Sequence, residues 1–211
     1  MTDYTRAAIA AAETTIKYAV TRYPLSPLPI LESMNNVMAM SFTDLSESAG
    51  VDRRELMPLF GKHLDAVTSF YGGAYVVTYN GILPVGMVQR ALAREMGHII
   101  LGHKGYSEEN NAEAMCFAYH LLCPRPLIHA LQSTCLRVTT DLVANITGLF
   151  EQSIYSMRRI PGTDVPANLN RFVRNQITPF VLNLFEFYQT TLAADGSAIA
   201  DFGTFMEGYA E

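Results

Sequence analysis

The chain has 211 residues, of which 49% are hydrophobic and 17% are charged, and its formal net charge is -5. This length and composition indicate one folded domain, or one domain with a helical appendage, and exclude an intrinsically disordered chain. The acidic balance lacks the basic surface that is typical of general nucleic-acid or membrane-surface binding.

The sequence also predicts a cytoplasmic protein without a membrane partner. The N-terminal segment has no basic stretch followed by an apolar run, so it is not predicted to be a secretory signal. No apolar run approaches the roughly 18 residues of a membrane-spanning helix. Cys116, Cys123 and Cys135 form no CxxC pair, and such an odd set is typical of reduced, buried thiols.

Helices precede and follow the first strand of the predicted structure. Asp3 can cap a helix over residues 3–22, because apolar residues recur there at helical spacing. Prolines then break the pattern before a short helix near residues 31–34. Two further short helical stretches, separated by Gly50, are expected within residues 43–61.

Three segments are predicted to form a small sheet. Residues 37–42 read VMAMSF, and residues 65–71 and 74–79 are rich in β-branched and aromatic side chains. The pair Gly72-Gly73 joins the last two segments. Because glycine accepts a positive φ, this pair indicates a tight hairpin turn.

The remainder of the chain is predicted to be helical. Ser107 can cap one of these helices, and Pro179 is expected to kink or divide another. Residues 125–211 contain six arginines, no lysine and eight acidic residues, which favours a structural helical part over DNA recognition. Helices are expected over residues 85–102, 107–122, 126–135, 139–146, 151–160, 169–192 and 198–209.

The most informative stretch is residues 91–124, which read ALAREMGHIILGHKGYSEENNAEAMCFAYHLLCP. The HExxH helix of a zinc peptidase places two histidines one turn apart, so that both reach one ion, and its glutamate acts as general base on the metal-bound water. Here Glu95 and His98 stand at the second and last positions, while Arg94 stands at the first. Glu113 follows on the next predicted helix and can return a carboxylate to the same place.

This stretch resembles the ImmA/IrrE metallopeptidases, which read approximately AHELGHILLGH and then EANxFAxxLLMP. The chain reads AREMGHIILGH and EAMCFAYHLLCP. The resemblance implies a gluzincin-type zinc site in which His98 and Glu113 are metal ligands and Glu95 is the catalytic base. It also implies a protein substrate, a transcriptional repressor, since relatives relieve repression of mobile elements or stress genes.

Arg94 departs from that pattern, because a guanidinium stays protonated and offers no lone pair to a metal. In the interpretation we favour, zinc and hydrolysis are lost, and Arg94 points into the former metal pocket and forms a bidentate pair with Glu113 or Glu95. A peptide-binding cleft is then retained without catalysis. Two alternatives remain open. In one, the metal is kept by a substitute ligand. In the other, the motif is a coincidence and the two helices are purely structural.

The candidates for a substitute ligand are His103, Cys116 and His120. His103 would lie about 140° round a continued helix from His98, which argues against it. Cys116 and His120 lie three and seven residues after Glu113 and so share its face. The cofactor is thus zinc or none.

The fold predicted from these observations is α+β. A zincin-like core, with a small β-sheet and an HExxH-type helix pair, is expected over residues 1–124. A helical C-terminal subdomain over residues 125–211 is expected to pack on it.

Overall fold

The computed structural model describes residues 2–56, 58, 65–134, 138–157, 160 and 164–195. Within them the fold is α+β, as predicted, with ten helices and one three-stranded sheet. In chain order the elements are α1 (Tyr4–Lys17), α2 (Pro27–Ser33), β1 (Val37–Ser41), α3 (Phe42–Ala49), α4 (Arg53–Leu56), β2 (Ala66–Tyr71), β3 (Ala74–Tyr79), α5 (Val85–Ile100), α6 (Glu108–Leu122), α7 (Arg125–Ser133), α8 (Thr140–Thr147), α9 (Glu151–Met157) and α10 (Ala167–Asp195).

Helix α1 begins at the predicted cap, because the side chain of Asp3 accepts a hydrogen bond from the Arg6 N–H. The helix ends at Lys17, earlier than predicted, since the backbone at Ala19 turns to a φ of 48°. Arg6 also donates to the carbonyl of Leu101 at the end of α5. Helix α1 is therefore tied to the terminus of the helix that carries the motif.

The sheet has the order β1-β3-β2, with β1 parallel and β2 antiparallel to β3. The predicted hairpin is confirmed, and Gly72 and Gly73 have φ values of 60° and 85°. Two successive positive φ values are those of a type I′ turn, whose twist matches that of paired strands. Because β3 is the central strand, β2 lies at one edge of the sheet, and it packs next to α5.

Helices α5 and α6 form an antiparallel pair that packs closely at Gly97. A Cβ atom at this position would lie 3.0 Å from the Ala114 carbonyl oxygen and 3.0 Å from Cδ1 of Phe117. Side chains larger than hydrogen would force the helices apart, so Gly97 sets their separation.

The C-terminal helices pack against the rest of the molecule in one continuous hydrophobic cluster. Phe180 and Leu184 of α10 are buried together with Tyr23 and with Leu121 of α6. Helix α10 also contacts α1 and α7 and continues through Pro179 without being divided. The helix predicted over residues 198–209 lies outside the described residues. None of the described helices has the length and apolar character needed to cross a membrane.

Candidate functional site

A cleft of about 490 Å³ opens between α5, β2 and the loop that follows α5. Arg94, Glu95 and His98 line it from α5, and His103 lines it from the loop. Because Arg94 and His98 are four residues apart, they share one face of the helix. Of the residues singled out in the motif, Arg94, Glu95 and His98 therefore meet at one concave surface.

Arg94 is held by carboxylates on two sides of its guanidinium group. Nη1 donates to Asp65 Oδ2 at 2.9 Å and Nη2 donates to Asp65 Oδ1 at 3.0 Å, which makes this pair bidentate. Nε and Nη2 also donate to Glu95 Oε1, at 3.0 and 2.7 Å. Only 12% of the Arg94 side chain is exposed, so these carboxylates supply the compensation that a buried cation needs.

The expected contact between Arg94 and Glu95 is confirmed, but the bidentate partner is Asp65. Asp65 immediately precedes β2, the strand that packs against α5, and this places its carboxylate beside Arg94. Glu113 is instead bonded to other groups, behind His103. The four residues Arg94, Asp65, Glu95 and Thr68 are called the Arg94 cluster below.

Both carboxylate oxygens of Glu95 accept hydrogen bonds from the protein. Oε1 accepts from Arg94, and Oε2 accepts from the Thr68 hydroxyl at 2.7 Å. Glu95 is 4% exposed. A general base must take a proton from water through a carboxylate oxygen that is available to it. In this arrangement Glu95 serves as the counterion of Arg94.

The charges of the cluster stabilise one another. Burial by itself would raise the pKa of Asp65, but the hydrogen bonds and positive charge of Arg94 outweigh burial and hold that pKa below its usual value. Burial would lower the pKa of Arg94, while the charges of Glu95 and Asp65 raise it. The ionised forms of Arg94 and Asp65 are thus favoured together.

His103 lies between His98 and Glu113, and these three residues are called the His103 chain. Nδ1 of His103 is 3.0 Å from Nδ1 of His98, and Nε2 of His103 is 3.2 Å from Oε2 of Glu113. The prediction that His103 points away from His98 is wrong, because the helix does not continue to residue 103. Gly102 has a φ of 69° and turns the chain back, and the His103 N–H donates to the His98 carbonyl at 3.0 Å. These are the features of a Schellman motif.

Glu113 is held from the opposite side by the N-terminus of α1. Its Oε1 accepts a hydrogen bond from the backbone N–H of Asp3 at 2.7 Å. Glu113 is 7% exposed. The carboxylate that the motif assigns to a metal thus has two protein partners, His103 and Asp3.

The residues present do not fit a zinc ion in this arrangement. Ligating nitrogen and oxygen atoms must converge on one point at about 2.0–2.2 Å. His103 instead bridges His98 and Glu113 through its two ring nitrogens, and the guanidinium group of Arg94 is bonded to Asp65, Glu95 and the Ala66 carbonyl and offers no lone pair. In the part of the chain that the structure describes, no group of three or more His, Cys, Asp and Glu side chains is arranged to hold a metal ion.

The structure does not bring Cys116 or His120 to His98. The Cys116 thiol is buried and donates to the Tyr4 carbonyl at 3.5 Å, and burial raises its pKa to about 12. His120 lines a different cavity, among the C-terminal helices. Both share the helix with Glu113, but their side chains point toward other elements.

Aromatic side chains form the rim of the cleft. Phe70 and Tyr106, which face it from β2 and from the loop, are each 64% exposed. Phe70 packs on Tyr75, with ring centroids 4.9 Å apart. Aromatic groups beside an edge strand are typical of surfaces that bind extended peptides.

Sequence reasoning missed Asp65, Thr68 and the backbone of Asp3. Each is distant in sequence from the residue that it contacts, so no local spacing could reveal the pairing. The signal that was available is a buried arginine, which requires a carboxylate from another element. The chain matches no protein-family model, no curated protein and no solved structure.

Proposed function

We propose that the chain is a non-catalytic, zincin-like protein of the ImmA/IrrE type that binds a peptide segment of a protein partner in its cleft without hydrolysing it. The observation that carries this proposal is the use of Glu95. Its two oxygens accept hydrogen bonds from Arg94 and Thr68, so the carboxylate that would act as the base in a peptidase of this type is paired with a cation.

The cleft itself supports a binding role. Strand β2 forms one wall and lies at the edge of the described sheet. The backbone of Ala66 is already bonded to Arg94 and Asp65, so an extended segment would pair with the outer backbone groups further along the strand. Phe70 and Tyr106 offer apolar contact to that segment. Aromatic anchors of this kind supply much of the free energy of protein recognition.

A second candidate is an active zinc endopeptidase that cleaves a transcriptional repressor, with His103 as the substitute ligand. The contacts of His103 with both His98 and Glu113 favour it over Cys116 or His120. This function requires the His103 ring to leave its position between the other two ligands. It also requires Glu95 to be released from Arg94.

Selection of random decapeptides displayed on phage tests the proposal, with enriched sequences resynthesised as fluorescent peptides and measured by anisotropy. We expect saturable binding that weakens at least about fivefold in Phe70→Ser and in Tyr106→Ser. Met38→Ser is the matched control, because Met38 is 55% exposed on β1. Equal binding by all variants, or no enrichment, would overturn the proposal.

The same peptides distinguish the two candidates. After incubation with added zinc, mass spectrometry should find them intact. Cleavage that disappears in Glu95→Gln would establish the peptidase and reject the non-catalytic role.

A further inference from the structure

The hydrogen-bonding pattern of the sheet defines which backbone groups of β2 face outward, away from β3. The N–H and the carbonyl of Ala66 face outward, because they bond to the side chains of Asp65 and Arg94. Backbone groups of an antiparallel strand face its neighbour and the outside in alternation, so those of Thr68 and Phe70 also face outward. The segment of β2 that a partner can pair with thus lies between Arg94 at one end and the hairpin turn at the other.

A segment that pairs with this edge would direct every second side chain into the cleft. Side chains at alternate positions of an extended chain share one face, roughly 7 Å apart. The side chains of Thr68 and Phe70 lie on the cleft face, where the Thr68 hydroxyl donates to Glu95 and Phe70 packs on Tyr75. The two aromatic rings can therefore pack against an apolar side chain of the segment.

The carboxylates beside the cleft are already bonded within the protein. Both oxygens of Asp65 accept from Arg94, and the oxygens of Glu95 accept from Arg94 and Thr68. Both oxygens of Glu113 also have protein partners. A lysine or arginine of a partner would have to displace these donors, including a bidentate guanidinium, before it could form an ion pair here.

Lys104 brings an available positive charge to the cleft wall. It lines the cleft from the loop after α5, and it is exposed. In the part of the chain that the structure describes, its ammonium group forms no ion pair or hydrogen bond. Glu108 and Glu109 follow in the first turn of α6, but neither is among the described residues that line the cleft. An acidic side chain in the cleft would thus meet a free cation.

From this placement of charge, we infer that the cleft selects an acidic extended segment, in which an aspartate or glutamate pairs with Lys104 and an apolar side chain packs on Phe70 and Tyr75. Because both side chains must face the cleft, an even number of positions separates them in the segment. The inference rests on the proposed peptide binding and adds the chemistry of the segment. An exposed ion pair changes a binding constant by no more than about fivefold, so Lys104 sets selectivity rather than most of the affinity.

Parallel selections from the random decapeptide library test the inference, with wild type, Lys104→Glu and Lys17→Glu as targets. Lys17 is exposed at the end of α1, away from the cleft, so Lys17→Glu controls for the change in net charge. We expect acidic residues to be enriched by wild type and by Lys17→Glu, but not by Lys104→Glu. Equal acidic content in the three sets of peptides would overturn the inference and leave the proposed function intact.

A double-mutant cycle then isolates the ion pair. Anisotropy measures the Kd of the most enriched acidic peptide and of the same peptide with its acidic residue changed to the matching amide. In wild type the amide version should bind about threefold more weakly, and in Lys104→Gln the two versions should bind equally. The same ratio of Kd values in wild type and in Lys104→Gln would overturn the inference. If wild type binds no peptide, the proposed function fails together with it.

Discussion

Arg94 is compatible with a buried position because two carboxylates converge on it. Asp65 takes two of its N–H groups and Glu95 takes two more. Without the cation, Asp65 and Glu95 would face each other as like charges in a poorly solvated place. The arginine therefore has a structural role that a ligand histidine would not have without its metal.

Replacing Arg94 by methionine should lower the free energy of unfolding by about 3 kcal/mol, because it leaves the carboxylates of Asp65 and Glu95 without a positive charge beside them. Urea denaturation measures the loss. Arg90→Met, one turn earlier on α5, is the matched control and should cost less than about 1 kcal/mol.

The double variant Arg94→Met/Asp65→Asn should recover part of that stability, since it removes one of the stranded charges. Strict additivity of the two substitutions would contradict the coupling that we assign to this pair.

Acid should weaken the Arg94 cluster through Asp65. The folded pKa of Asp65 lies below its ordinary value of 3.8, so folding favours the ionised carboxylate. Its contribution is fully present above that ordinary value and is lost as the pH falls through the folded pKa. The difference in free energy of unfolding between wild type and Asp65→Asn should therefore be constant above about pH 5 and become smaller below about pH 4.

Denaturation series between pH 2.5 and 7 measure this difference, and Arg94→Met provides the reference background. In the Arg94→Met background nothing on Arg94 lowers the pKa of Asp65, so the difference in free energy of unfolding should no longer become smaller as the pH falls. A difference that stays constant down to the lowest pH in wild type would show that Asp65 gains nothing from its pairing.

At the scale of elements, two glycines position the site. Gly97 lets α5 and α6 approach closely, which brings the face of Glu113 beside that of His98. Gly102 ends α5 in the left-handed conformation and returns His103 over the helix terminus. The arrangement of the His103 chain follows from these two backbone features.

Gly97→Ala should destabilise the protein by about 1–3 kcal/mol, because its Cβ would press on Ala114 and Phe117 at the closest point of the α5–α6 pair. Thermal unfolding measures the change. Gly105→Ala is the matched control, since a Cβ there meets nothing within 4 Å. Equal melting temperatures for the two variants would refute the role given to Gly97.

The same elements explain how far the sequence could be interpreted. Asp3, Ser107 and the pair Gly72-Gly73 act locally, so they correctly predicted two helix starts and the hairpin. The predicted position of His103 was wrong because the predicted helix included Gly102, whereas the helix ends before this glycine. Treating it as a helix-terminating glycine would have predicted the reversal.

The partners within the site could not be predicted in the same way. Asp65 and Arg94 are 29 residues apart, and Asp3 and Glu113 are 110 apart. Such contacts depend on how whole elements pack, and no periodicity records them. The motif identified the helix faces that meet, but it did not identify the groups that form hydrogen bonds and ion pairs with the side chains on those faces.

At the scale of the whole molecule, the cleft beside α5 and a cavity among the C-terminal helices differ in character. The cleft beside α5 is lined by charged groups bonded to one another and is bordered by aromatic side chains. The cavity among the C-terminal helices is lined mostly by apolar side chains. One hydrophobic cluster contains buried side chains from both sides of residue 124, so the helices after this residue share their core with the rest of the molecule.

Zinc content distinguishes a disabled metal site from a working one. Wild type and Arg94→His, purified side by side without chelator, are analysed for metal per chain by mass spectrometry. We expect wild type to hold far less than one zinc. We expect Arg94→His to hold about one, because a histidine ligand becomes available and Glu95 is released. Zinc would then displace the His103 ring from between His98 and Glu113. One tightly bound zinc in wild type, lost in His98→Ala, would contradict the proposed function, and a metal-free Arg94→His would contradict the zincin-like character that we propose.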